Sequence, residues 1–368
     1  MRVRTEIADH DPASARRIAD DLDYLTACLH GRRSRMAEGE RLTGLCRIRS
    51  LSEFTHMVFP ESEPQELLDF QRLSVYELTR ELSSLPAHMS GPGASLLLWA
   101  LVRYQVENLK VLIRICLTRS PAADPQQYLV PLPKELALDI QGLAAAESLD
   151  DFVQLVPKGV LRGSLEQAVE IYRDYPRPFF FEAALDQGYS QGLLARVEGL
   201  PREDQEIIKP MVCQEVDIFH LMLVVRGKFH YGLTPEKLLP LHVAGTRIPR
   251  ALFAAMLADQ DLYTSVARVA ERVFDTAPFE HGPDGGSAAA AVDVAALERL
   301  AWKRFLRLAN LAFRQSHMGL GAVVGYAGIR RVEVANLITI SEGSRKGMTA
   351  ETIRARLIEP TGAEVVHV

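Results

Sequence analysis

Two short stretches set a carboxylate and an imidazole one helical turn apart: Glu53 with His56, and Asp217 with His220. Residues three apart share a face of a helix, so each pair could present two ligands to one metal ion. A dinuclear site in a helical bundle needs two Glu-x-x-His turns plus a Glu from each of two further helices. Here one turn carries Asp instead of Glu, and the two turns do not fall on matching repeats. The residues therefore predict no metal site, and a helical metalloenzyme using Glu53, His56, Asp217 and His220 stands only as the alternative.

Other chemistries find less. "GLGAVVG", Gly319 to Gly325, has three residues before its last glycine where the dinucleotide motif has two, and no strand pattern precedes it. Close helix packing is the expectation there. "GSRKG", Gly343 to Gly347, lacks the spacing of a phosphate-cradling loop. Cys28, Cys46, Cys116 and Cys213 form no C-x-x-C pair, which predicts reduced core thiols. No Ser/His/Asp or Cys/His order stands out, so no catalytic residue and no cofactor is predicted. Net charge is −5 with scattered Lys and Arg, which argues against a nucleic-acid track. The N-terminus lacks an apolar signal core, and runs such as "ASLLLWALV" fall far short of the ~18 residues of a spanning helix. These features predict a cytoplasmic chain.

The elements that carry these residues read as helices, because Leu, Ala, Glu and Arg dominate and apolar residues recur every three or four positions. One unit is written three times. "VDIFHLMLVVRGKFHYGLTPEKL" (216–238) matches "VEVANLITISEGSRKGMTAETI" (332–353) at an offset of 116, and "YQVENLKVLIRI" (104–115) matches at an offset of 112. Spacing this long exceeds the ~20–50 residues of a solenoid repeat and implies duplicated helical domains. The expected division is 1–118, 119–230 and 231–368, with a flexible Gly/Ala-rich insert at 281–291. "RSLSEF" (49–54) and "ESLDDF" (147–152) are further echoes.

The shared positions are Gln105, Asp217 and Glu333; Asn108, His220 and Asn336; Arg226, opposite Arg114; and the glycine pairs Gly227/Gly232 and Gly343/Gly347. Asp217, His220, Leu221 and Val224 fall on one face, as do Glu333, Asn336, Leu337 and Ile340, so a polar pair shares the packing surface. A charge there must be paired or hydrogen-bonded. Gly227 and Gly343 are expected to end helices in the left-handed conformation, and Thr234 and Thr349 to cap the helices that follow.

Taken together, "CQEVDIFHLMLVVRGKFHYGLTPEKLLP", "AALDQGYSQGLL", "YQVENLKVLIRI" and "VEVANLITISEGSRKGMTAETIRARLI" resemble the C subunit of the V-type (V/A-type) ATPases, the counterpart of the eukaryotic d subunit. The resemblance runs from about "DYLTACLHGRRSRM" to residue 358. It implies an all-α, funnel-shaped, non-catalytic protein of three similar domains about a pseudo-threefold axis. One copy per complex would bind central-shaft subunits and the membrane rotor ring, peripheral on the inner face of the membrane. It would couple ion transport to ATP synthesis or hydrolysis. A free-standing helical scaffold is a further alternative. The chain departs from the family pattern at His220 for Asn, at Gln105 for an acid, by one extra residue between Gly227 and Gly232, and by the 281–291 insert.

Overall fold

The computed structural model describes residues 12–62, 64, 66–118, 125–276 and 293–359, and among these every regular element is helical. The all-α expectation is met. The insert 281–291 lies outside the described residues.

The three copies sit on three long helices, Gly91–Thr118, Arg202–Met222 and Leu320–Arg345, called here signature helices 1, 2 and 3. Each is preceded by another long helix, Leu67–Ser84, Phe179–Glu198 and Val294–Ser316 respectively, called counterhelices 1, 2 and 3. Counterhelix 2 packs on signature helices 1 and 2, and counterhelix 3 on 2 and 3. Counterhelix 1 packs on 3 and 1, so the six close into a circuit.

Small residues permit the tightest of these crossings. A Cβ on Gly325 would lie 2.6 Å from both the Ala309 carbonyl and the Phe313 amide of counterhelix 3. Gly328 likewise faces Ala309 and Phe305. The "GLGAVVG" stretch is thus a helix-packing device, as its spacing predicted. Gly192 makes room for Trp99, whose indole N–H donates to the Tyr189 carbonyl at 2.9 Å and whose ring stacks under Arg196.

Two glycine expectations need correction. Gly227 and Gly343 are not left-handed; the positive φ angles belong to Gly232 (64°) and Gly347 (67°). At Gly227 and Gly343 the missing side chain instead admits Leu238 and Ile353, since an added Cβ would come within 2.8 and 2.6 Å of them. After Gly347, Thr349 caps the Ala350–Arg354 helix through the Thr352 amide. Thr234 occupies the corresponding N-cap before Pro235 without a capping bond from its side chain to a helix amide.

The exit of signature helix 3 shows a Schellman pattern: the Met348 amide donates to the Gly343 carbonyl and the Gly347 amide to Ser344. In copy 2 each loop is one residue wider, with Leu233 donating to Gly227 and Gly232 to Lys228. The residue in excess is taken up by a π-helix, Leu223–His230, which continues signature helix 2.

A large core runs through all three helix pairs. A second, smaller core joins the two halves of the sequence: Leu42, Leu45, Phe54 and Phe70 pack with Leu337, Ile340, Ile353 and Leu357. Short helices starting at Leu51, Leu149 and Leu262 are each capped by the preceding side chain, Ser50, Ser148 and Asp261.

Candidate functional site: a centre shared by three copies

Two residues before Gln105, Asp217 and Glu333 stand Arg103, Glu215 and Arg331, which occupy one position of the three copies. They meet. Glu215 accepts from Arg103 at 2.9 Å and from Arg331 at 2.9 and 3.0 Å, and the Tyr189 hydroxyl lies 3.3 Å away. Trp302 of counterhelix 3 lies beneath both guanidinium groups, 5.7 and 5.6 Å from its ring centre. Side-chain exposure is 7% for Glu215 and 13% for Arg331, but 33% for Arg103, so the cluster is closed on one side and wet on the other. Burial opposes ionisation of Glu215, yet Arg331 and then Arg103 outweigh it and hold the carboxyl at about 2. Burial pushes the Tyr189 phenol up, reinforced by the Glu215 charge, so it remains a donor.

Outward from this centre, the signature residues fasten each helix to chain that follows it. The Asn108 amide group donates to the Val130 carbonyl at 2.9 Å and accepts from the Val130 amide at 2.8 Å. Asn336 makes the same pair with Ile358, at the same distances and the same separation of 22 residues. His220 occupies that position in copy 2 and accepts only from the Val243 amide, at 2.9 Å and a separation of 23. Its Nδ1 has no hydrogen-bond partner and lies 3.9 Å from Asp217, too far for one. The one-residue shift in separation matches the extra residue held in the π-helix. The histidine and the extra residue thus occur together in copy 2.

Residues at the Gln105 position form a second clasp. Gln105 donates to the Leu136 carbonyl, and Asp217 accepts from the Ile248 amide, both at a separation of 31. Asp217 is also paired with Arg247 at 3.2 Å. Glu333 finds no chain that far ahead of it among the described residues. It accepts instead from the Ala37 amide at 2.6 Å, while Arg330 pairs with its other oxygen. An N-terminal segment thus fills in copy 3 the place that 136 and 248 fill in copies 1 and 2. The capping residues continue the correspondence, since Ser50, Ser148 and Asp261 follow these anchors by 13, 12 and 13 residues.

At the far ends of the signature helices, position 114 and its equivalents pair across to the counterhelices. Arg114 meets Glu182, Arg226 meets Glu298, and Glu342 accepts from Gln71. All eleven signature residues thus act as clasps, turns or rim contacts, and they are spread over three equivalent places. The triad itself escaped the sequence reading. Its signal was a column holding Arg, Glu and Arg, which looks like a mismatch until the three meet.

The metal alternative gains nothing. Glu53 and His56 are exposed, Asp217 and His220 are buried, and among the described residues no three His, Cys, Asp or Glu side chains gather as a metal site would require.

Residues 25–356 match the family described as ATP synthase (C/AC39) subunit. The chain is 25% identical over 338 residues to the C subunit of the A-type ATP synthase of Methanothermobacter thermautotrophicus, covering 88% of this chain and 84% of that one. The corresponding A-type ATP synthase protein of Methanobrevibacter smithii is 21% identical over 346 residues, with 90% and 87% covered. That of Methanosarcina mazei is 22% identical over 270 residues, with 73% and 71% covered. The chain, with its three clasped helices and shared centre, belongs to the ATP synthase (C/AC39) subunit family.

Proposed function

We propose that this chain is the non-catalytic coupling subunit of a rotary V/A-type ATPase, a single-copy socket between the rotating shaft and the membrane rotor ring. The observation that carries the reading is the Arg103–Glu215–Arg331 triad, in which one position of each copy meets the other two inside a closed circuit of helices. Such a centre supports a pseudo-threefold funnel whose parts cannot turn independently, as transmission of torque requires. On this reading the duplicated domains divide near 118 and 230, the ends of the first two signature stretches. The clasp of Ala37 by Glu333 ties the first and third of them together.

No helix among the described residues is long and apolar enough to cross a membrane. Contact with the bilayer would therefore run through the ring, on its inner face. A ring of charged rim contacts suits a polar, moderate-strength shaft interface, whose affinity is screened by salt. The test is a pull-down with purified shaft proteins and with detergent-solubilised ring across a salt series. Both are expected to bind, shaft binding weakening more steeply with salt. Crosslinks mainly to stationary parts of the complex would overturn the rotor assignment, and ATP turnover by purified protein would overturn the non-catalytic one.

A further inference from the structure

The second clasp of copy 3 borders a cavity of about 310 Å³, walled by the N-terminal segment, counterhelix 1 and signature helix 3. In copy 2 the residue before the clasped amide is Arg247, whose guanidinium bonds both Asp217 and Gln214. In copy 3 that place falls to Met36, and the equivalents of Asp217 and Gln214 are Glu333 and Arg330. These two close on each other, Arg330 donating to Glu333 and, at 3.0 Å, to Glu81. Four arginines and two glutamates line the cavity, a surplus of two positive charges: Arg32, Arg35, Arg41 and Arg330 against Glu81 and Glu333. Both carboxylates are already engaged. Glu81 accepts from Arg330, from Arg32 at 3.3 Å and from the Tyr326 hydroxyl at 2.6 Å, and Glu333 from Arg330 and the Ala37 amide.

The surplus therefore resides on Arg35 and Arg41. Arg35 is exposed, and its side chain makes no hydrogen bond or ion pair among the described residues. Arg41 is exposed and donates to the Arg35 carbonyl, a neutral partner. Glu38 and Glu40 do not line the cavity, and Glu38 pairs with Arg33 at 3.8 Å. Met36, Leu45 and Leu337, all buried, supply an apolar floor beneath this cationic mouth. We propose that the cavity binds a small phosphate monoester with a short apolar body, its phosphate at Arg35 and Arg41 and its body against that floor. A guanidinium fork matches two phosphate oxygens at once, and two forks without a counter-charge suit a dianion. The volume is at the small end of ligand pockets, which favours a soluble ester over a two-chain lipid. Ala37 lies between the two arginines in the chain, so an anion that ties them together also holds the joint of Ala37 with Glu333 closed. Occupancy then stabilises the folded chain by mass action. The proposal stands apart from the coupling role.

The experiment titrates the full chain with n-hexyl phosphate, inorganic phosphate and hexanol by calorimetry and by thermal melting, and adds a flotation assay with vesicles containing phosphatidic acid. Hexyl phosphate is expected to bind saturably with Kd below about 1 mM and to raise the melting midpoint, while inorganic phosphate and hexanol bind about tenfold more weakly or worse. Arg35→Gln removes no contact of the folded chain, so it is expected to leave the unliganded melt unchanged and to weaken hexyl phosphate about tenfold or more. Arg41→Gln should act in the same direction. Arg250→Gln, an exposed arginine without a partner among the described residues in the Arg250–Ala258 helix, should do nothing. Absence of saturable hexyl phosphate binding overturns the site, and binding unchanged in Arg35→Gln overturns its placement. Inorganic phosphate binding as tightly as the ester overturns the apolar body. Flotation with the vesicles but no response to hexyl phosphate overturns the soluble ester in favour of a lipid headgroup.

Discussion

Replacing Glu215 by Gln keeps the shape of the triad and removes its only negative charge. Two arginines from different copies then share a largely buried centre without a counter-charge, a change that typically costs ~3–5 kcal/mol. A second route to the magnitude is linkage. The carboxyl is held at about 2 in the folded chain against an ordinary 4.5. At about 1.4 kcal/mol per unit this corresponds to roughly 3 kcal/mol of stability at pH 7. The two routes agree in size. Because the folded value is the depressed one, this stability is fully present above pH 4.5 and is lost as pH falls toward 2. Thermal or urea denaturation of Glu215→Gln beside the unaltered chain should show a deficit near 3 kcal/mol at pH 7. At pH 3 the deficit should fall to less than half. A deficit under about 0.5 kcal/mol at neutral pH, or one that does not change with pH, would refute the account of the triad as an ionised keystone.

Gly325→Ala should destabilise by ~1–3 kcal/mol, since the added methyl meets backbone atoms of counterhelix 3 that cannot rotate away; Gly163→Ala, with open space around it in the Val160–Asp174 helix, should gain up to ~1 kcal/mol, and melting curves compare the two. Burial, and then His242, hold the His220 imidazole below 6.5 against the opposing pull of Asp217, so the neutral form is native. The unaltered chain should therefore lose stability as pH falls below 6.5 toward the depressed folded value, and a urea series in His220→Asn should show that slope reduced. Removing exposed His230 together with His220→Asn should restore the two-bond clasp of copies 1 and 3; a double-mutant cycle should give a favourable coupling of ~1 kcal/mol, and simple additivity would refute the link between insertion and histidine.

Much of this was legible in the sequence because helical period and repeat spacing are local signals. The offsets of 112 and 116 located the signature helices, and the shared polar pairs at Asp217/His220 and Glu333/Asn336 proved to be buried and hydrogen-bonded, apart from the unpartnered Nδ1 of His220. Glycine conformation was misassigned because Gly227 and Gly343 look like helix stops, yet φ is decided by which residue begins the exit turn. Contact with Leu238 and Ile353 is a tertiary fact that no local pattern carries. The triad was missed because Arg103, Glu215 and Arg331 become complementary only when three helices converge. The partnership of Ala37 with Glu333 was hidden by its separation of 296 residues.

That partnership has a consequence for biosynthesis. Residues 37–58 leave the ribosome well ahead of their partners: Leu42, Leu45 and Phe54 are already fit for a core, but the residues that cover them, Leu337, Ile340 and Leu357, are made some three hundred residues later. This segment must therefore wait, exposed, while some three hundred residues are added at ~5–20 per second, an interval of tens of seconds. During that time its apolar face is open to chaperones or to the tail of another nascent chain. An equivalent tail on a neighbouring molecule would satisfy it equally well, so crowded synthesis favours exchange of ends between chains, with dimers linked through the 37–58 segment as the product to look for.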